Sequence, residues 1–224
     1  MYEADILRQF IKMPLFTLGD VNQIINNRSY AKIFLDRMVK RGRIFRIKKN
    51  FYTLHDDPFL VCTFLTKPSY ISSVSALSYH RLITQIPNEV FCATTKRAAS
   101  IYFLRRINMF HVNHLFGFKM EEYDGFRIPI ADPERAIIDS FSIVPVGLFQ
   151  EAFNEIDKDK MIEYIKRIKK SSLAKRVGYL LEHSGYDAYK ELKGFINYKY
   201  VSLDPLISRT GRKDKKWRLM VNSK

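Results

Sequence analysis

The stretch from Thr17 to Leu54 constrains the local fold most, because two helical periodicities are followed at once by two β-prone runs. Thr17 stands one residue before an apolar run, with Asp20 three positions on. That is the spacing of a capped helix start, in which the Thr oxygen meets first-turn backbone N–H groups. Leu18, Val21, Ile24 and Ile25 then share one helical face. Asn26-Asn27-Arg28 predicts a turn, and Asn27 or Ser29 can cap a second helix running to about Arg41. Gly42 stops it, since glycine takes the left-handed C-terminal conformation without steric cost.

At 100° per residue, Ala31, Phe34, Leu35, Met38 and Val39 of the second helix form a buried face. Ser29, Tyr30, Ile33, Asp36, Arg37 and Lys40 point the other way, flanked by Lys32 and Arg41. Such a face suits a DNA major groove: hydroxyls and Arg address base edges, an outward Ile meets a thymine methyl, and Lys sits on phosphate. A solvated basic face is the plainer explanation for most helices, and here the neighbouring residues weigh against it. In Arg43-Ile44-Phe45-Arg46-Ile47-Lys48-Lys49-Asn50-Phe51-Tyr52-Thr53-Leu54, two β-prone runs flank Lys48-Lys49-Asn50. Asn tolerates the positive φ of a tight turn. A helix-turn-helix with a β-ribbon wing is therefore expected, the wing tipped by Lys48 and Lys49 for phosphate or minor-groove contact. From Asn26 to Asn50 nine Lys and Arg face one acid, Asp36. The expected duplex contacts are Arg28, Ser29, Tyr30, Lys32, Ile33, Arg37, Lys40, Arg41, Arg46, Lys48 and Lys49.

A chain of 224 residues has room for a small module and a larger body. The net charge of +15 permits a polyanionic partner. It is uneven: residues 1–57 carry +5, residues 58–145 +2 and residues 146–224 +8. Cys62 and Cys92 are too far apart for a Cys-x-x-Cys pair and are expected as buried thiols in a reducing cytosol. Met1-Tyr2-Glu3-Ala4-Asp5 lacks the basic and apolar regions of a signal peptide. The longest apolar-rich run, Phe59 to Leu65, is far short of the roughly 20 residues a membrane span needs. These features predict a soluble, cytoplasmic protein with no membrane partner.

Met13-Pro14 ends a first helix with the apolar stripe Ile6, Leu7, Phe10 and Ile11. His55-Asp56-Asp57-Pro58 marks the expected boundary between a winged helix-turn-helix, residues 1–57, and a mixed domain, residues 58–224. In residues 58–145 the reading gives helices at Phe59–Leu65 and after Ser72 or Ser73, and strands at Ser69–Ile71, Glu89–Thr94 and Phe110–His114. It adds a hairpin of Lys119–Tyr123 and Phe126–Ile130 around Asp124-Gly125. The sheet is expected to be small and antiparallel. Asp132-Pro133-Glu134 is a helix entry: Asp132 caps, Pro133 takes the first helical position, and Glu134 suits the dipole.

Residues 146–224 read as helical and basic, with helices at Leu148–Ile156, Met161–Ile168, Leu173–Leu181 and Ala188–Ile196. A polar loop, Ser208–Lys216, then precedes a terminal strand, Trp217–Val221. Lys166, Arg167, Lys169, Lys170, Lys175 and Arg176 form a charge run, either solvated or a surface for a toxin or RNA. The fold class is thus α+β.

No catalytic residue, metal or cofactor is expected. There is no Gly-rich phosphate loop and no Gly-Ser element with closely spaced carboxylates. His111 and His114, three apart in an expected strand, fall on opposite faces. His80 reads as packing or capping. Glu191-Leu192-Lys193 is a Glu-x-Lys tripeptide of the nuclease type, but on an expected helix without a partnering strand.

Several segments in order, namely Asn50–Leu54, Pro68–Ser72, Ser75–His80, Ala93–Thr95 with Arg97, Ala131–Asp139, Arg176–Glu182 and Trp217–Asn222, resemble the AbiEi family. These are antitoxins, the transcription-regulating half of abortive-infection (type IV) toxin–antitoxin systems used in phage defence. The resemblance spans nearly the whole chain and departs from the family at Asn50, where Gly is common. It implies a winged helix that binds operator DNA, with inverted repeats expected, and represses its own operon. It also implies a remainder that antagonises a nucleotidyltransferase-like toxin, by direct complex or by competition for the toxin's RNA target. Three alternatives stay open: a stand-alone winged-helix regulator, a nuclease with a DNA-targeting domain, and an interaction protein whose basic end binds RNA or an acidic partner.

Overall fold

Residues 3–222 are described by a computed structural model, and they form a mixed α and β chain. Two compact units divide it. The first holds the residues up to Ile71 together with Asn88–Leu115 and Met120–Pro129, and the second holds Ser72–Pro87, Phe116–Lys119 and the chain from Ile130 on.

In the first unit, α1 (Glu3–Phe10), α2 (Leu18–Ile25) and α3 (Arg28–Lys40) precede the strands β1 (Phe45–Lys48) and β2 (Phe51–Thr53). Thr17 and Asp20 close a reciprocal capping box on α2: Asp20 N donates to Thr17 Oγ1 at 3.3 Å, and Thr17 N to Asp20 Oδ2 at 2.6 Å. Asn26 ends α2 in the left-handed conformation, and Asn27 caps α3 by accepting from Tyr30 N at 3.0 Å. Gly42, at φ 64, follows the last turn of α3. Ile6, Phe10, Phe16, Val21, Ala31, Phe34, Leu35, Met38, Ile44 and Tyr52 pack into one hydrophobic cluster. Burial of each large member contributes roughly 1.5–3 kcal/mol. Phe16 adds a β-bridge to Tyr52, bonded both ways at 2.9 Å, which the sequence pattern did not announce.

Beyond this cluster the first unit holds α4 (Pro58–Leu65), capped by Asp57 and apolar nearly all round. The strand β3 (Ser69–Ile71) follows, and then, in the second unit, α5 (Ser73–Tyr79). Next come β4 (Glu89–Thr94), β5 (Ala99–Phe103), β6 (Arg105–His111), β7 (Phe118–Tyr123) and β8 (Phe126–Ala131). Their sheet has the order β5-β6-β4-β3-β8-β7. It is mixed rather than antiparallel: β4 runs parallel to β6, with β5 inserted at the edge as the return strand. The expected strand at Phe110–His114 is instead the end of β6, and β5 was not expected at all. Asp124 (φ 48) and Gly125 (φ 75) make the expected turn with two positive φ angles. Cys62 on α4 and Cys92 on β4 are both buried and unpaired as disulfides. Burial, and then the neighbouring Cys92, push the Cys62 thiol well above its ordinary range.

The second unit continues with α6 (Pro133–Ser140), α7 (Lys158–Ile168), α8 (Ser171–His183) and α9 (Tyr189–Leu192). Three short strands complete it: β9 (Val201–Ser202), β10 (Arg212–Asp214) and β11 (Leu219–Val221). β11 lies between β10, antiparallel, and β9, parallel. The helix expected at Leu148–Ile156 is two 3-10 turns, broken at Phe149 by a φ of −139°. The helix expected at Ala188–Ile196 is four residues long and tightens into a 3-10 turn over Lys193–Phe195. The expected loop at Ser208–Lys216 contains β10. Buried on α6, Asp139 receives Ser72 Oγ at 2.8 Å and pairs with Arg135 at 3.0 Å.

Candidate nucleic-acid interface

Helix α3 is held by one face and open on the other. Ala31, Phe34, Leu35 and Met38 are buried at the i, i+3, i+4, i+7 spacing that makes one helical stripe. Arg28, Ser29, Tyr30, Lys32, Ile33, Asp36, Arg37, Lys40 and Arg41 are all exposed. Single exposed apolar residues are common, but Ile33 at 54% and Tyr30 at 47% exposure stand among cations on one helix face. Val39, expected in the buried stripe, is partly buried at its margin.

The hairpin differs from expectation at its tip. A bulge between Arg46 and Lys48 places Ile47 out of register and buries it. Lys48 is thereby turned back: its Nζ donates to Leu65 O at 3.0 Å and lies 4.3 Å from the Phe51 ring centroid. Burial lowers its pKa. Lys48 is thus an anchor, not a free wing cation, because a β-bulge re-aims the side chains that follow it. The tip is Lys49, exposed, and Asn50, at φ 66. Asn50 does more than turn the chain, since its Oδ1 accepts from Leu18 N at 3.1 Å and ties the hairpin to the start of α2. Burial raises the Tyr52 phenol, and the charges of Arg46 and Asp36 then act on it in opposite senses. Arg46 stands opposite Tyr52 in the hairpin and is exposed.

Ion pairing thins the cationic set slightly. Arg41 donates to Glu3 at 2.9 Å. Arg28, Lys32, Arg37, Lys40, Arg43, Arg46 and Lys49 remain exposed without an ion-pair partner among the described residues. Phe45 of β1 meets Phe103 of β5 edge-on at 5.6 Å, and His55 meets Phe126 at 5.0 Å. These contacts fasten the 1–57 segment to the rest of the first unit.

In the second unit the run from Lys166 to Arg176 is exposed at four of its six cations. Lys166, Arg167, Lys169 and Lys170 are exposed; Lys166 pairs with Glu191 at 3.3 Å, and the Arg167 guanidinium lies 4.1 Å from the Phe116 ring. Lys175 and Arg176 are buried, against the expectation of a continuous basic surface. Lys175 Nζ donates to Asn197 Oδ1 at 2.6 Å and Lys199 O at 2.5 Å, and Arg176 Nε to Ser202 O at 2.9 Å. They sit on the inward face of α8, whose apolar stripe includes Leu173, Ala174, Val177 and Leu181. A charge run spanning two helices reads as one surface in sequence, yet the break at Lys169, φ 56, reorients its second half.

A second polar cluster joins α6 to α7. Lys160 bridges Asp132 at 2.9 Å and Glu134 at 2.8 Å, Tyr164 donates to Asp132 at 2.7 Å, and Asp157 N donates to Glu134 at 3.0 Å. Asp132 also caps α6, so the cluster both starts α6 and ties it to α7. His80 bonds to Ala131 O at 2.8 Å, consistent with a packing residue. His111 closes β6 and His114 lies beyond it. No group of three or more His, Cys, Asp or Glu fit to hold a metal occurs among the described residues. None of their helices is long and apolar enough to cross a membrane.

No protein-family model and no curated protein matches the chain. The fold is similar to the crystal structure of the RV2827C protein from Mycobacterium tuberculosis. That likeness has a TM-score of 0.69 at 11% identity, covering 97% of this chain and 88% of that one.

Proposed function

We propose that α1–α3 and the β1–β2 hairpin are a winged helix-turn-helix, residues 1–57, that holds duplex DNA, with α3 in the major groove. The order helix, bridge, helix, helix, hairpin supports this reading, but one observation carries it. The solvent face of α3 is polar, apolar and cationic by turns, and the hairpin that follows it leaves Arg46 and Lys49 exposed. The duplex contacts are Arg28, Ser29, Tyr30, Lys32, Ile33, Arg37, Lys40, Arg46 and Lys49, with Arg43 added, Lys48 withdrawn, and Arg41 withdrawn for its pairing with Glu3. The chain acts in the cytoplasm as a repressor and antitoxin of AbiEi type. It regulates its own operon, and residues 58–224 antagonise a nucleotidyltransferase-like toxin. No catalysis is assigned to it. Of the basic run, Lys166, Arg167, Lys169 and Lys170 are the residues available to a toxin or RNA. A regulator without a toxin is the second reading, supported by the ion pair and ring contact that already occupy Lys166 and Arg167.

The test is a titration of the upstream promoter duplex with the full chain at several salt concentrations. Six or more phosphate contacts predict a loss of at least ~10³-fold in affinity between about 50 and 200 mM salt, from counterion release. The same titration with R37A/K40A/R46A is expected to lose sequence preference and flatten the salt slope. Binding of the triple variant equal to that of the unaltered protein overturns the reading.

A further inference from the structure

Beside the outward face of α3 lies a groove of 380 Å³ between α1, the end of α2 and α3. Its apolar lining is Ile6, Ile24, Ile25 and Phe34, with Tyr30 and Arg37 along the α3 edge. The volume falls within the roughly 300–1,000 Å³ range of small-molecule sites, and the four apolar side chains form a patch inside a lining that polar groups share. Two features say what such a molecule must carry. Glu3 also reaches the groove, but its carboxylate is held by Arg41 at 2.9 Å. Arg37 has no carboxylate partner among the described residues and presents a planar fork of donors, the geometry that grips a carboxylate through two parallel hydrogen bonds. Asn27 stands at the same edge with Oδ1 engaged by Tyr30 N, which leaves its side-chain N–H₂ as a further donor.

We infer that this groove binds a small apolar carboxylic acid, with its hydrocarbon part on Ile6, Ile24, Ile25 and Phe34 and its carboxylate on Arg37. The binding step stands on the groove alone. Its consequence rests on the proposed reading of α3 as the duplex-facing helix. Arg37 and Tyr30 cannot serve a bound acid and a DNA strand together, so occupancy lowers operator affinity, and by linkage DNA lowers affinity for the acid. The acid then acts as an inducer.

Two acids, phenylacetate and indole-3-acetate, are titrated into the full chain beside their uncharged amides, following labelled Ile methyl signals by NMR. The methyls of Ile6, Ile24 and Ile25 are expected to shift with both acids and to respond to the amides about tenfold more weakly, or less, since one charge-assisted contact is lost. R37A should remove that preference, and I25W, which fills the groove, should abolish both responses. Equal binding of acid and amide, a preference that survives R37A, or no shift of these methyls at 10 mM ligand (about the weakest binding of interest) overturns the site. Promoter titrations then test the coupling: saturating acid weakens duplex binding by the unaltered protein but not by I25W. Acid that binds without changing duplex affinity overturns the inducer role and leaves the site standing. A chain that binds no duplex overturns the operator reading, and the methyl titration still decides the groove.

Discussion

Two residues in the second unit show how narrowly its packing is fitted. Gly178 lies mid-helix in α8, where glycine costs about 1 kcal/mol relative to alanine, so another reason must hold it there. A Cβ at that position would stand 2.0 Å from ring carbons of the fully buried Trp217, whose Nε1 donates to Glu182 at 2.6 Å. G178A is therefore expected to destabilise the chain by roughly 1–3 kcal/mol through overpacking. Trp217 is the chain's one tryptophan, so its fluorescence during denaturant unfolding reports the change directly. An unchanged midpoint would mean that the ring has room to move. Lys160 makes a pH-dependent case. Burial lowers its pKa, yet the hydrogen bonds it donates to Glu134 and Asp132 raise it above the ordinary 10.5. A raised folded value means the contribution is complete below the unfolded value and lost as pH climbs through the folded one. K160M should thus cost a constant amount between about pH 6 and 9 and lose its penalty only above about 10.5. The cost is set at roughly 2 kcal/mol, below that of a fully buried pair because Lys160 is a third exposed. Urea midpoints of both proteins across pH check the sign.

At the scale of elements, the amino-terminal helices were legible and the hairpin only partly so. Caps and periodicity act over a few residues, so Thr17, Asp20, Asn27 and Gly42 marked α2 and α3 in the sequence as they stand in the fold. The Phe16–Tyr52 bridge depends on pairing across tens of residues, which no local pattern encodes, and the Ile47 bulge shifts the register of a hairpin whose strands alternate without announcing it. For the same reason the parallel β4–β6 pairing was missed, because a crossover partner leaves no mark on either strand's own alternation. In the candidate site, exposure on α3 followed from helical spacing, whereas the fates of Lys48, Lys175 and Arg176 turned on backbone breaks nearby. The hairpin gives a paired prediction. K49A should reduce the salt slope of duplex binding by about 1, while K48A should leave the slope unchanged and lower stability by about 1 kcal/mol. Reversed effects would mean that Lys48 leaves Leu65 to reach phosphate. N50G should keep the turn while losing the bond to Leu18 N, and N50A should lose both. N50A is therefore the less stable of the two by about 1 kcal/mol, readable as separate thermal midpoints.

At the scale of the whole molecule, the basic charge is divided between two ends that hold it differently. Near the amino end most of it stays exposed, on α3 and the hairpin. In the second unit part of it is buried to join α8 to the segment ending in Ser202. Net charge alone would have credited both ends equally with a polyanionic partner. The central claim is that the exposed face of α3 enters a duplex groove, and a tethered cleavage reagent reads that placement. Cys62 and Cys92 are buried, so in I33C the new thiol is the one exposed to an iron–EDTA label. The account predicts strand scission of the promoter duplex, confined to one or two short major-groove windows. Scission spread evenly along the duplex, or none while the labelled protein is bound, would contradict it.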